Sequence, residues 1–541
     1  MALASLCAES VQTNAHGPSF IGFIVDHQLR KGSTKEASDV AIALRRLQIQ
    51  PRVLTVDWAQ HGDPSSLTNL ESVARRLRYQ ALGNACREHD LTSLLVAHHA
   101  DDQAETVMMR LLGGYIGFGL RGMKSDRHIP YCDGLYGINR SGSPHHLYQH
   151  TTSAPQRLKP RIGIEGGGVR ILRPLLPFTK DQLVAHCNAN GVTWFDDHTN
   201  FDRTYTPRNT VRHLLRSDNM PVAMRKPRLL ALAATVASEE TSAVRLAQDA
   251  FEQSTIRLDT SAGRAVVHLP TLHPLLAAAP QEAYAVKAIL LRRLLELVTP
   301  MDDVPLQDLH DSITFIFRAS ARNASKTPIQ PPAKACQIAG VAIAPGEQTS
   351  NSTGFILQRR PPSLKETAAH HELHIATQPV QDGNIGSWWA SDWLLWDNRY
   401  WLRVLSLDNR SLAANDMRVQ FLTMTHLAAL RKSLDHSRVE RLNRLLEAAP
   451  GSTRLTIPAI ISQSVSPSDS SAVTAKQVVA LPTVDWSTDG WSPWPASHRM
   501  PGTLYWEVRY KDIDLNVSET HSLVARGTES RLLHTPSKIF P

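Results

Sequence analysis

Nine consecutive residues, His98-His99-Ala100-Asp101-Asp102-Gln103-Ala104-Glu105-Thr106, put imidazoles and carboxylates where an apolar run gives way to a helical pattern. Before them, Leu94, Leu95, Val96 and Ala97 have the continuous apolar character of a buried parallel strand. After them, Val107, Met108, Leu111 and Leu112 recur on one helical face until Gly113-Gly114 stops the pattern. In open α/β sheets ligands bind beyond the carboxyl ends of strands, so Asp101, Asp102 and Glu105 are expected to face such a crevice. There a carboxylate could hold Mg²⁺ or accept a proton. A purely local reading stands beside this one. Asp102 followed three residues later by Glu105 also fits an N-cap with its capping box, which needs no ligand. The tandem imidazoles favour chemistry, since capping requires neither.

The elements that must position these groups follow a βαβα order, which implies a parallel sheet. Phe20 to Val25 reads as a strand ending in Asp26-His27, Val53 to Val56 as another, and Asn69 to His89 as a helix. Ala37, Val40, Leu44 and Leu47 give the intervening segment a helical stripe. Lys124 to Arg170 breaks this rhythm with clustered Gly, Ser, Pro, His and Arg, and is expected to be an inserted, partly mobile surface loop. From Ser217 to Ser320 the apolar spacing is helical. Beyond a Pro-rich linker at Pro328 to Pro332, tryptophans and strand formers predict a small β-rich domain, its tryptophans mostly core, with a Ser-rich linker at Ser462 to Lys476.

The chain's 541 residues suffice for two to four domains. A net charge of +8 suits an anionic partner such as RNA without requiring one. No run of about eighteen apolar residues predicts a membrane span. Cys7, Cys86, Cys132, Cys187 and Cys336 form no CxxC pair, which argues against a zinc site or disulfide framework and for a reducing, intracellular compartment. Met1 to Ser10 reads as a helix fragment and not as a signal peptide.

The nine-residue block resembles the HHxDDQAET signature of the tRNA(Ile)-lysidine synthetases, within the PP-loop or N-type ATP pyrophosphatase superfamily. Further blocks are similar in the same order. They are Val25-Asp26-His27-Gln28-Leu29-Arg30, the helix carrying Asn69-Leu70-Glu71, Ala74-Arg75 and Arg78-Tyr79, Gly119-Leu120-Arg121-Gly122-Met123, Arg173-Pro174-Leu175-Leu176, Trp194 to Asn200, and Arg208-Asn209 with Arg212. The likeness covers roughly the first two-fifths of the chain. It departs at Asp197-His198-Thr199-Asn200, where the family has DPSN, and the interval to Arg208 is one residue longer than is typical. Members also open with a strand and an SGGxDS loop whose backbone amides cradle the ATP pyrophosphate. Met1-Ala2-Leu3 resembles the start of the helix after that loop. The expectation is therefore a chain begun at an internal Met or a degenerate homologue, either with weak or no ATP turnover.

The resemblance implies an adenine nucleotide alpha hydrolase-like PP-loop domain over residues 1–216, with an insertion at about 124–170. A helical tRNA-contacting domain over 217–325 and a β-rich tRNA-recognition domain over 326–541 would follow. Arg225, Lys226, Arg228, Arg292 and Arg293 are candidate contacts to tRNA or simply a solvated basic face. The implied reaction joins L-lysine to C2 of the wobble cytidine of an isoleucine tRNA, using ATP and Mg²⁺ through an adenylated intermediate. On this resemblance Asp102 and Arg208 are catalytic, with Asp102 and Asp101 as metal ligands. Asp26, His27 and His99 would contact the nucleotide, although Asp26 equally fits a turn cap. Arg78, Asp197, Asn200, Asn209 and Arg212 would bind substrate, although the Arg208 group also fits a structural salt bridge. No membrane partner is implied, a homodimer is compatible, and a mitochondrial address follows only by family. Two alternatives remain: a catalytically inactive tRNA-binding homologue, and a tRNA 2-thiocytidine synthetase, whose paired cysteines this chain lacks.

Overall fold

A computed structural model describes residues 1–13, 17–30, 32–59, 61–143, 162–195, 207–217, 220–270, 282–317, 335–349, 352–368, 371–372, 380–382, 386–406, 415–464, 477–489, 491–493 and 504–513. The chain forms two compact units, residues 1–140 with 167–242, and residues 141–166 with 243–541.

In the first unit, helix α1 (Ala2–Thr13) precedes strand β1 (Ile21–Asp26). Helix α2 (Ser33–Arg46) carries the chain back to β2 (Gln50–Thr55), which pairs parallel with β1 from Ile21 opposite Gln50 to Asp26 opposite Thr55. Helix α3 (Leu70–Glu88) leads to β3 (Ser93–Leu95), followed by α4 (Ala100–Leu112). Strand β4 (Asp126–His128) comes next, β5 (Gly163–Ile164) belongs to the second unit, and β6 (Arg170–Leu172) returns to pair parallel with β3 and antiparallel with β4. The expected parallel pairing is thus present in two sheets, β1-β2 and β3-β6-β4. One apolar core serves both. Tyr79, Leu82 and Cys86 of α3 bury against Leu94, Ile129, Cys132, Ile138, Val169 and Ile171, with Phe23, Val25 and Leu54 packed alongside.

That core corrects the reading of 124–170 as a surface loop. Its described residues place Ile129, Cys132 and Ile138 in the core, with exposures of 1% or less. The apolar side chains are too widely spaced to produce a helix or strand period, so the polar residues between them dominate the composition. Their packing is close. A Cβ at Gly83 would sit 2.6 Å from Ile138 Cγ2 and 3.2 Å from Cys132 Sγ.

Helices α5 (Lys180–Ala189), α6 (Pro207–Arg216) and α7 (Lys226–Glu252) complete the elements around the site. Ala104, Val107 and Met108 of α4 bury with Val211 of α6 and with Leu229 and Ala233 of α7. This apolar stripe fixes which face of α4 meets α6. Glu105, on that side, goes with it.

In the second unit β7 (Thr255–Asp259) and β8 (Arg264–Pro270) form a hairpin. With β9 (Cys336–Ile338), β10 (Val341–Thr349) and β11 (Ser352–Arg359) they make one antiparallel sheet in the order β7-β8-β11-β10-β9. The expected wholly helical unit over 217–325, and the boundary near 326, are therefore corrected. Arg264–Pro270 alternates buried and half-buried side chains, a period of two that the flanking helical stripes obscured. Two further sheets lie in the region predicted to be β-rich. One of them is joined in parallel by β5, so the inserted segment contributes a strand there. Trp396, Trp401, Trp486 and Trp506 are buried, as core tryptophans should be. Residues 465–476, most of the expected Ser-rich linker, lie outside the described residues. Among the described residues no helix is long and apolar enough to cross a membrane.

Candidate active site at the strand ends

Asp26 is the last residue of β1 and is buried. Its Oδ1 accepts the Gln28 N–H at 3.0 Å and its Oδ2 accepts the Thr34 hydroxyl at 2.7 Å, while Gln28 adopts a left-handed φ of 54°. Burial pushes the carboxyl up, but hydrogen bonds from Thr34, Ser33 and Gln28, with His27, hold it below its ordinary value. Both oxygens are consumed in building a turn. These bonds fit the turn-cap reading of Asp26, whose short side chain finds local donors.

Two imidazoles follow strand ends and both are neutral near pH 7. Burial lowers His98 to about 4, with Arg173, Arg208 and Arg75 reinforcing and Asp102 opposing. Burial and Arg78 lower His27 against a counter-pull from Asp26. Nδ1 of each is buried without a hydrogen-bond partner. Such orphaned ring nitrogens fit a ligand-facing surface better than a finished core.

The capping question has a mixed answer. His99, not Asp102, is the N-cap of α4, and Asp102 sits at the third helical position, where its Oδ2 accepts the His99 N–H at 3.0 Å. The predicted pair of Asp102 as cap and Glu105 as its partner is therefore one turn out of register. Asp102 keeps its second oxygen for other work. Oδ1 meets Arg208 Nη2 only at 3.4 Å, longer than a good hydrogen bond.

Glu105 is 4% exposed and supports the basic side of the cluster. Arg208 Nε donates to its Oε2 at 2.9 Å, while Arg212 donates Nε to Oε1 at 2.7 Å and Nη2 to Oε2 at 3.0 Å. Arg208 and Arg212 are four residues apart on α6, so one helical face delivers both guanidiniums. Asn209 is buried beside them, its Oδ1 3.5 Å from Arg212 Nη1. Asp102, Arg208, Asn209 and Arg212 thus stand in one cluster.

Asp101 faces elsewhere. It accepts the Lys180 N–H at 2.8 Å and pairs with the Lys226 ammonium, with His99 Nδ1 3.7 Å away. Burial raises its carboxyl, but Lys226, Lys180 and His99 together hold it below its ordinary value. These partners occupy Asp101 in the described structure. Among the described residues no three His, Cys, Asp or Glu side chains converge on a common metal position. Mg²⁺ at a phosphate site usually takes only one or two carboxylates besides phosphate oxygens and water, and Asp102 Oδ1 fits that modest demand.

Arg78, on α3, lies beside His27 and Arg208. Asp197 and Asn200 lie outside the described residues. Sequence reasoning gave no individual role to Gln103, whose amide accepts the Met123 N–H at 2.7 Å and donates to the Met123 carbonyl at 3.2 Å, tying the Gly119–Met123 segment to α4. It also gave none to Tyr79, Arg75 or Arg173, which gather near His98. Their positions in the family-like blocks were the available signal.

Residues 1–219 match the PP-loop domain. The chain is 38% identical over 198 residues to a probable tRNA(Ile)-lysidine synthase of Schizosaccharomyces pombe, covering 36% of this chain and 37% of that protein. It is 30% identical over 212 residues to the tRNA(Ile)-lysidine synthase of Orientia tsutsugamushi, covering 38% of each. With the one from Bradyrhizobium it shares 30% identity over 253 residues, 47% of this chain and 58% of the relative. The matches thus span about two-fifths to three-fifths of these relatives' own lengths. A solved U34-tRNA thiolase, NcsA of Methanococcus maripaludis, is 13% identical with a TM-score of 0.29 over 44% of this chain and 69% of that one, a likeness too slight to weigh. Over residues 1–219 the chain thus resembles the PP-loop domain, and over about the same stretch it is similar to the tRNA(Ile)-lysidine synthases.

Proposed function

We propose that the chain acts as a tRNA(Ile)-lysidine synthetase, joining free L-lysine to C2 of the wobble cytidine of an isoleucine tRNA at the expense of ATP. The C2 oxygen attacks the α-phosphorus of ATP and pyrophosphate leaves. The lysine ε-amine then attacks C2, the C2–oxygen bond breaks, AMP departs and the amine gives up a proton. The observation that carries this reading is the half-committed carboxylate of Asp102, with Oδ2 fixed by the His99 N–H and Oδ1 held only loosely by Arg208. A base must be rigidly placed yet keep a free lone pair, and Asp102 has both properties.

Arg208 is suited to the charge that develops on phosphate oxygens, because its fork is oriented by Glu105 while Nη2 extends toward Asp102. Arg212 and Asn209 brace that arrangement from the same helix. His98 and His27, neutral at physiological pH, offer ring nitrogens to a nucleotide without adding charge. When bound, Mg²⁺ would neutralise phosphate charge, and Asp102 is the side chain placed to hold it.

The test incubates the protein with ATP, L-lysine and an isoleucine tRNA bearing a CAU anticodon. Nucleoside mass spectrometry of the tRNA should show lysidine, lost in Asp102→Ala. Absence of lysidine, or its unchanged formation by Asp102→Ala, would overturn the proposal. Binding of tRNA without product would instead favour a catalytically inactive tRNA-binding homologue.

A further inference from the structure

We infer that Arg75, Arg78 and Arg173, gathered around Tyr79, form a phosphate-binding subsite beside the Asp102–Arg208 cluster. This rests on the reading that the strand ends are the reaction site. Three nearby cations have a carboxylate: Arg208 and Arg212 share Glu105, and Lys226 has Asp101. Arg75, Arg78 and Arg173 have none among the described residues.

Their grouping is built, not incidental. Tyr79 is buried at 2% exposure, with the Arg75 guanidinium 5.3 Å and the Arg78 guanidinium 5.4 Å from its ring centre. Its phenol oxygen also interacts with Arg78 and Arg173. Arg173 is only 5% exposed. Its Nη1 donates to the Lys124 carbonyl at 2.8 Å, while its Nε is buried without any partner. A ring quadrupole and one carbonyl compensate a guanidinium only in part. An excess of like charge held this close is costly unless an anion completes it.

The neighbours define what kind of anion fits. Arg173 and Arg75, with Arg208, all lower the His98 imidazole and Arg78 lowers that of His27, so the three arginines bear on the residues that follow β3 and β1. Forked guanidiniums match the oxygens of a phosphate or pyrophosphate group. Two sources carry that chemistry at this site: the phosphates of the nucleotide, and the backbone phosphates flanking the nucleoside being modified.

The experiment uses the 541-residue chain and two probes, inorganic pyrophosphate followed by calorimetry and a fluorescein-labelled RNA hairpin followed by anisotropy. Arg75→Gln and Arg78→Gln remove charge from half-buried positions, and Arg173→Lys keeps the charge but loses the fork. Circular dichroism verifies the fold. Loss of about tenfold in pyrophosphate affinity with RNA binding intact assigns the subsite to the nucleotide. Loss confined to RNA, with the salt slope reduced by about one, assigns it to the tRNA backbone. Folded variants that bind both probes like the wild type overturn the inference. Should they do so while the protein still makes lysidine, the subsite alone falls. If the arginine variants lose pyrophosphate but no lysidine ever forms, the functional reading falls and the subsite stands.

Discussion

Replacing Glu105 is the most revealing perturbation of the cluster's architecture. Its carboxylate takes three charge-assisted hydrogen bonds of 2.7 to 3.0 Å from two guanidiniums while 4% exposed. Breaking a buried pair by removing one partner costs about 3–5 kcal/mol, because the other charge stays desolvated. The Arg208 and Arg212 side chains are 28% and 19% exposed, so water reaches them and part of that penalty is relieved. Glu105→Ala should therefore lose about 2–4 kcal/mol, and Glu105→Gln, which keeps the shape and one acceptor oxygen, about 1–3 kcal/mol. Urea unfolding with hydrogen exchange on the α4 and α6 amides would read the loss and place it in the first unit. A double-mutant cycle with Arg212→Met should give a coupling of about 1–3 kcal/mol. Glu105→Gln costing less than about 0.5 kcal/mol, with no coupling, would refute the claim that Glu105 holds α6 in register with α4.

Three further predictions follow from the same core. His98 titrates at about 4 in the folded chain against 6.5 as its ordinary value, so the stability it contributes is complete above pH 6.5 and is lost as pH falls toward 4. Urea midpoints at pH 7 and pH 5 should differ more in the wild type than in His98→Asn, and equal differences would contradict this. Gly83→Ala should destabilise by about 1–2 kcal/mol in thermal or urea unfolding, the clash with Ile138 outweighing the gain in helix propensity. A neutral or stabilising result would show the contact to be slack. Burial raises the Cys86 thiol to about 11, and burial with Asp133 and Cys86 raises Cys132 to about 12, so neither should react with Ellman's reagent at pH 8 in the native chain. Rapid modification of either would contradict the packing of α3 on the residues around Ile138.

Much of the cluster was legible because its residue types and spacings have few other uses. Asp102 and Arg208 lie 106 positions apart, yet the apolar stripe of α4 and the basic face of α6 both follow helical spacing and bring them together. At Asp26 a nucleotide contact and a turn cap carry the same residue signal. Only the positions of Thr34 and the Gln28 amide distinguish the two. The pairing of Asp101 with Lys226 was not legible, since the two lie 125 residues apart. The insertion misled more deeply. Ile129, Cys132 and Ile138 have no periodicity, and the parallel pairing of Gly163–Ile164 with the strand Leu504–Tyr510 is a long-range event that no local pattern encodes. Glu165, fully buried, bonds the Gly142 N–H at 2.9 Å and Arg509 Nη1 at 2.9 Å, a role its Gly-rich surroundings gave no reason to expect.

The central claim is that Asp102 accepts the proton of the attacking amine after the tRNA has been adenylated. A single-turnover reaction of the protein, using ATP labelled at the α-phosphate and radiolabelled lysine, tests it directly. In the wild type, lysine should enter the tRNA as AMP is released, one for one. In Asp102→Asn lysine transfer should stop, and any AMP placed on the tRNA should stay there. Transfer of lysine by Asp102→Asn at the wild-type rate would contradict the account.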